Sequence, residues 1–305
     1  MPFSKFNTLT LLQLESWVAQ ARTKSGQLPR YVPLLAESDP DKFALALQLD
    51  QTHQLIIGDA DVPFVLMSVI KPFLLLFLLH HLGQEKVFSR VGFQPSSLAF
   101  NSVQQLIDDQ GFPRNSMINS GAIALADLLP GTDADSRCEQ LRQWLNQQSS
   151  SQLRLDQSML DSVRSLPNST NRAIAEQLAQ AGYLNSVEIA LDTYNQICCL
   201  SGTITDLARL GQLLAHPHPH LSATHQHTVN TAMLSCGLYE TADDYAKRIG
   251  LPIKSGVSGG LLVILPDQGV IACYSPQLDQ VGHSVVGLAI LEQMMQWLRS
   301  GDFQS

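Results

Sequence analysis

The sequence predicts an α+β protein: an antiparallel sheet built from both ends of the chain, flanked by helices, with an all-helical subdomain inserted between the two parts. Three observations predict it. Short apolar runs bounded by turn residues fall near 43–59 and again from about 250 onward. Between them, from about 68 to 230, apolar residues recur at helical spacing. Further helical patterns lie outside both strand regions, in LTLLQLESWVAQAR at 9–22 and in SVVGLAILEQMMQWLR near the end. The reading is a single domain over 1–305. Residues 1–67 and 231–305 form its sheet-bearing part and 68–230 its helical part.

In chain order, the 9–22 helix leads through the turn-rich connector GQLPRYVP to FALALQLD and QLIIGD. These flank the polar tip QTH and read as a β-hairpin. GDADVPF is an irregular approach to LMSVIKPF at 66–73, which opens a buried helix over 68–82. The helical series continues through NSVQQLIDDQ, MINSGAIALADLL, CEQLRQWLNQQ, NRAIAEQLAQAG, SVEIALDTYNQICCL and TDLARLGQLLA, with loops at PGTDADS, SSSQ and HPHPH. LPIKSG, GGLLVILP and GVIACYS are short strands joined by tight turns, and the last helix closes the chain. If the first hairpin joins the last strands, the terminal helices cover the sheet. A ligand cleft is then expected between sheet and helical block.

Composition narrows the function. The 305 residues are 45% hydrophobic and 15% charged, which supplies a large core. A net charge of -8 with no Lys/Arg cluster excludes a nucleic-acid surface and gives no attraction to anionic membranes. The N-terminus lacks a basic segment, apolar core and small-residue cleavage site, so no signal peptide is expected and the location is read as cytoplasmic. The longest apolar run, Val62–Leu79, is broken by Ser68, Lys71 and two prolines, and reads as a buried core helix rather than a span. Cys138, Cys198, Cys199, Cys236 and Cys273 are odd in number and lack metal-like spacing, which fits reduced, buried thiols. HPHPH at 216–220, with His225 and His227, has no carboxylate or cysteine partner and reads as a flexible surface loop; no metal and no cofactor are expected. His80 and His81 are placed at the end of the buried helix.

The chemistry centres on Ser68 and Lys71. Residues three apart share a helix face. Serine is a weak nucleophile until a base takes its proton, and a lysine serves only when its neutral form is populated, as burial favours. PFLLLFLL supplies apolar surroundings, and a helix N-terminus beside Ser68 suits an oxyanion. Taken as four letters, Ser-x-x-Lys fits equally an N-capping serine and a lysine reaching to water. A second element is IKSGVSGG at 253–260. Lys254 and Ser255 are expected to offer donors along a strand edge, and a backbone N–H from Gly256–Val257 to complete an oxyanion hole with the Ser68 amide. A third is Tyr194 in DTYNQICCL, a hydroxyl that can relay a proton. Asn119 in MINSGA is a buried-looking amide at a helix start. Pro72 implies that the regular helix begins after Ser68, with an irregular turn at Val69–Ile70.

Longer motifs add a family resemblance. RYVPLLAESDPDKFALAL, GDADVPF, FNSVQQLIDDQGFPRNSMINSGAIALADLL, LDTYNQICCLSGTITDLARLGQLLA, CGLYETADDYAKRIGLPIKSGVSGG and SPQLDQVGHSVVG occur in the order found in the serine-dependent glutaminases. The chain resembles that family over nearly its whole length. The resemblance implies the fold of serine β-lactamases and penicillin-binding proteins. It implies a glutamine amidohydrolase that releases glutamate and ammonia, working as a homodimer or homotetramer. Ser68 would be the nucleophile, Lys71 its activating partner and Tyr194 a participant in proton transfer. Asn119, Asn171 and Tyr239 would contact substrate, and Val257 would give its N–H to the oxyanion.

One segment departs from the family pattern. A Ser-Glu pair normally precedes the Asn of the Arg-Asn-Arg-Ala stretch by seven or eight residues, and its glutamate holds the substrate's α-ammonium. Counting back from Asn171 in DSVRSLPNSTNRAIA, that place falls on Arg164, and the nearest upstream acid is Asp161. Loss of a buried counter-charge costs about 3–5 kcal/mol. Two alternatives therefore stay open: a serine acylase acting on β-lactams or peptides, and a non-catalytic relative that binds an amino acid.

Overall fold

The computed structural model describes residues 3–30, 32–49 and 53–300. Gln51 and Thr52 of the expected hairpin tip, Tyr31 of the connector and the first two residues of the segment read for a leader lie outside the described residues.

The sheet forms from both chain ends, as expected. Strands β1 (Ala44–Gln48) and β2 (Gln54–Gly58) make the first hairpin. A small second sheet contributes β3 (Phe64–Val65), β4 (Arg154–Leu155) and β5 (Leu200–Gly202). Strands β6 (Ile253–Ser255), β7 (Gly260–Leu265) and β8 (Gly269–Tyr274) complete the main sheet, ordered β2-β1-β8-β7-β6 and antiparallel throughout. The join is β1 against β8, with Ala46 opposite Ala272. Side chains alternate across a strand. Leu45, Leu47, Leu261, Val263 and Ile271 therefore enter one core while Ala44, Ala46, Leu262, Ile264 and Val270 enter the other. Both faces are covered, which is why these strands read as nearly continuous apolar runs.

Helix α1 (Leu11–Ala21) and the closing helix cover the first face. α1 is capped by Thr10, which accepts from the Gln13 amide at 3.2 Å. α2 (Pro33–Ala36) is one turn in the connector. The helical block comprises α3 (Lys71–Phe88), α4 (Val103–Asp108), α5 (Asn119–Ala126), α6 (Ala134–Ser149), α7 (Gln157–Arg164), α8 (Ser169–Gln180), α9 (Val187–Cys198), α10 (Ile204–Ala215) and α11 (Ala223–Cys236). α12 (Ala242–Arg248) and the closing α13 (Val285–Arg299) follow. α1 and α13 meet through Trp17 and Trp297, whose rings make an edge contact at 5.6 Å. The apolar stripe of α10 packs on the second face of the sheet, against β1, β7 and β8.

α3 runs through the middle of the block with Lys71–Leu79 buried. By length and composition the stretch Met67–Phe88 could cross a membrane, but 72% of its most apolar window is buried inside the protein. The turn before it, Met67–Ile70, is 3₁₀, and the α-helix begins at Lys71 with Pro72 in its first turn. Pro72 thus sits where backbone N–H groups have no helical partner, as the sequence implied. The helix runs past the expected end at 82, although Gly83 (φ +75) breaks its regular geometry there. His80 and His81 lie where the helix emerges from the core, and burial together with His80 lowers the His81 pKa.

Two expectations change. The 216–220 loop is tied down rather than loose: His216 Nε2 lies 2.9 Å from Leu49 O and His218 Nε2 3.3 Å from Gln148 O. β3, β4, β5, α2, α7, α11 and α12 were not foreseen: two- or three-residue strands have no measurable period, α2, α7 and α12 are short, and α11, which puts His225 and His227 on a helix rather than in a surface loop, is too polar in its first half to show an apolar stripe. The five cysteines are free and buried.

Candidate active site

The 3₁₀ geometry of Met67–Ile70 decides how Ser68 faces Lys71. Side chains at i and i+3 eclipse in such a turn, and the Lys71 N–H closes it on Ser68 O. Met67 carries φ +46, an uncommon conformation for a long side chain. The turn is anchored on β5 by Leu66 N–H donating to Leu200 O at 2.8 Å. On its other side lies the edge of β6. A Cβ at Gly256 would stand 2.7 Å from Leu66 O and 3.0 Å from Val69 Cγ2, so only glycine allows this approach. The same added Cβ would stand 3.4 Å from the Ser68 nitrogen, which places position 256, the residue before Val257, next to the Ser68 amide. Among the described residues, neither the Ser68 nor the Val257 N–H has a backbone acceptor.

Lys71 is fully buried. Its ammonium donates to Met117 O at 3.1 Å and to Asn119 Oδ1 at 2.8 Å. Burial pulls its pKa down to about 7, with the neighbouring Cys198 thiol acting weakly the other way. Asn119 opens α5. Its Oδ1 also accepts from the Tyr194 hydroxyl at 3.0 Å, and its Nδ2 donates to Asn171 Oδ1 at 2.9 Å. One amide therefore links residues of α3, α5, α8 and α9.

Tyr239 neighbours Ser68, and Tyr239 Oη donates to Ser255 O at 3.4 Å. Burial pushes the phenol well above its ordinary range, with the Ser68 hydroxyl acting the other way, and keeps it protonated. Its ring packs against Phe100 (4.6 Å between centroids), His283 (5.5 Å) and the Lys254 ammonium (4.1 Å). Lys254 is also fully buried and donates to Gly237 O at 2.9 Å and Ser255 O at 2.7 Å. Burial, then the charge of Lys71, lowers its pKa well below the ordinary value.

Ser68, Lys71, Asn119, Asn171, Tyr194, Tyr239 and Val257 thus come together. Two sequence expectations do not match this grouping. Ser255 does not offer its hydroxyl along the strand edge. Strand alternation turns it to the opposite face from Lys254, where Oγ meets His283 Nδ1 at 2.7 Å without solvent exposure. Arg164 contacts none of the Ser68 group in the described structure. Its guanidinium makes a forked ion pair with Asp192 on α9, at 2.7 and 2.9 Å. It lines a cavity of about 500 Å³ with Leu166, Asn168, Arg172, Asp192 and Asn195, and none of Ser68, Lys71, Tyr194 or Tyr239 lines that space. Sequence reasoning missed Cys198, Phe100 and His283. Their motifs were visible, but nothing local signalled contact with residues so far along the chain. Among the described residues, no group of three or more His, Cys, Asp or Glu side chains is arranged to hold a metal ion.

Comparison with known proteins finds relatives over nearly the whole chain. The family model described as Glutaminase matches residues 26–303. A glutaminase of Synechocystis sp. is 46% identical over 296 residues, covering 96% of this chain and 90% of its own. One from Rhodopseudomonas palustris is 36% identical over 295 residues, covering 93% and 94%. Among solved structures, the probable glutaminase ybaS superposes with a TM-score of 0.87 at 32% identity, over 97% of this chain and all of that one. The probable glutaminase of Bacillus subtilis gives 0.87 at 29% identity, over 95% and 96%. With an α+β, β-lactamase-like fold and matches over nearly its full length, the chain belongs to the glutaminase family of hydrolases.

Proposed function

We propose that the protein hydrolyses L-glutamine to L-glutamate and ammonia through an acyl-enzyme on Ser68. The observation that carries the reading is the state of Lys71. A neutral amine has two N–H groups, and Met117 O and Asn119 Oδ1 accept both. The remaining lone pair is free to take the Ser68 proton, and a pKa of about 7 keeps the neutral form populated at neutral pH.

Ser68 Oγ attacks the side-chain carboxamide carbon while Lys71 takes its proton. The oxyanion is met by the N–H groups of Ser68 and Val257. Collapse breaks the carbon–nitrogen bond, and the departing nitrogen takes the proton that Lys71 received and leaves as ammonia, with the Tyr194 hydroxyl, oriented by Asn119 Oδ1, assisting the transfer. Water then attacks the acyl ester as Lys71 takes its proton, and the ester carbon–oxygen bond breaks as Lys71 returns that proton to Ser68 Oγ, releasing glutamate. Asn119, Asn171 and Tyr239 hold the substrate. Arg164 belongs to this reading only as part of a cavity wall, because Asp192 occupies its guanidinium.

We further read the protein as a cytoplasmic homodimer or homotetramer. Five free, buried thiols suit a reducing compartment. Sedimentation velocity is expected to give a dimer or tetramer, and a monomer at micromolar concentration overturns that part. The central test is ammonia release from glutamine by the wild type and Ser68→Ala. The wild type is expected to be active and the variant to lose at least about a thousandfold. Equal rates overturn the mechanism. An inactive wild type that opens a chromogenic cephalosporin would mark a β-lactam acylase instead.

A further inference from the structure

The Ser255–His283 contact has no part in the chemistry above, yet it lies directly behind it. His283 has no solvent exposure. Its Nε2 is 3.1 Å from Thr241 Oγ1, and the single hydroxyl proton of Thr241 is committed to Leu238 O at 2.8 Å. Thr241 Oγ1 is therefore an acceptor toward the ring. This contact assigns the proton to Nε2. Nδ1 is left as an acceptor, and Ser255 Oγ donates to it at 2.7 Å.

Three segments converge on this imidazole. β6 arrives through Ser255, two residues before Val257. The turn Leu238–Thr241 arrives through Thr241 and carries Tyr239. The loop before α13 carries His283 itself and is fixed by Asp279 Oδ1, which accepts the N–H groups of Val281, Gly282 and His283 at 2.9 Å each. The ring face also stacks on Tyr239 at 5.5 Å and 16°. Tyr239 has φ +56, where a bulky side chain is strained and persists only if its surroundings over-determine it.

We infer that His283 is a positioning residue: locked as the Nε2–H tautomer between Ser255 and Thr241, it holds Tyr239 in its strained turn and the β6 edge against Ser68. The inference rests on the proposed role of Ser68 and deepens it. A shift of about 1 Å at reacting groups can cost about a hundredfold in rate, so a buried tie of this kind acts on turnover more than on affinity.

The test measures kcat and KM for glutamine, with thermal unfolding, in full-length His283→Ala, His283→Asn and His283→Phe. Asparagine can return an acceptor to Ser255, whereas phenylalanine keeps the stack but no polar contact. Alanine is expected to lower kcat about 10–100-fold while KM moves less than about threefold. Asparagine should recover part of the loss and exceed phenylalanine. In a Tyr239→Phe background, His283→Ala should cost less than about twofold more, because both act through one unit. Wild-type kcat in the alanine variant, or an equal loss in both backgrounds, overturns the inference. If alanine does not fold, asparagine and phenylalanine with equal kcat overturn it. A wild type that releases no ammonia overturns the proposed reaction itself, an outcome distinct from active variants with unchanged kcat.

Discussion

Lys71 shows most directly how a single residue trades stability for chemistry. An ordinary lysine titrates near 10.5, whereas here burial brings the value to about 7. The sign follows directly. Below about 7 the amine is charged and cannot accept the Ser68 proton, so kcat/KM should fall about tenfold per pH unit on the acid side. Above it the rate should level off until another group titrates. A pH–rate profile without an inflection between about 6 and 8 would contradict Lys71 as the base. The same shift affects folding. Between about 7 and 10.5 the unfolded chain holds a proton that the folded chain lacks, so this group makes stability rise with pH across that window. Lys71→Met should therefore melt no lower than the wild type at pH 7 while ammonia release is lost, and Lys71→Arg should be inactive because a guanidinium stays charged. Calorimetry beside the activity assay checks both.

Secondary-structure elements make the residue chemistry possible by close approach. The Ser68 turn and the β6 edge meet only because position 256 lacks a Cβ, with Leu66 O 2.7 Å from where one would stand. Gly256→Val should push β6 off the turn, costing about 1–3 kcal/mol of stability. It should cost a larger share of activity, since Val257 moves with it. A variant that unfolds earlier but keeps full kcat would show that the Val257 N–H is not needed. Pro72 is the opposite case. It lies in the first turn of α3, so Pro72→Ala should change stability by less than about 1 kcal/mol. Proline placed at Leu75 should cost about 3 kcal/mol or more. Denaturant melts of the pair measure the difference.

At the scale of the whole molecule, the division into a sheet-bearing part (1–67 and 231–305) and a helical part (68–230) remains our proposal for one domain. α10 belongs to the second by sequence but packs on the sheet of the first, and the two share a continuous core. One cooperative unfolding transition is expected by calorimetry, and two resolved transitions would mean two domains. Arg164 also belongs to this scale. Arg164→Glu would set a second carboxylate beside Asp192 in place of a forked pair. It should lower stability modestly, by up to about 1 kcal/mol at so exposed a site. Arg164→Gln should leave KM for glutamine within about threefold. A tenfold change in KM would return Arg164 to the substrate site.

The sequence by itself determined the elements whose signals are local. Short, nearly continuous apolar runs in FALALQLD and GGLLVILP, bounded by turn residues, specified strands, and the spacing of Ser68 and Lys71 put a hydroxyl and an amine one turn apart. Pro72 marked where the helix could begin. Only the tertiary structure decided which distant groups share a site. Tyr239 and Ser68 lie on different elements, and Ser255 and His283 are 28 positions apart. No periodicity records such pairs, because they depend on which strand edge packs against which turn. The same holds for direction. Arg164 was read from the sequence as a possible substrate position, and in the structure α9 gives its guanidinium Asp192 as a forked partner at a cavity wall. Burial underlies the role proposed for Lys71: the assembled core excludes water from its amine and lowers its pKa to about 7, a property of the packed molecule and not of the four letters that contain it.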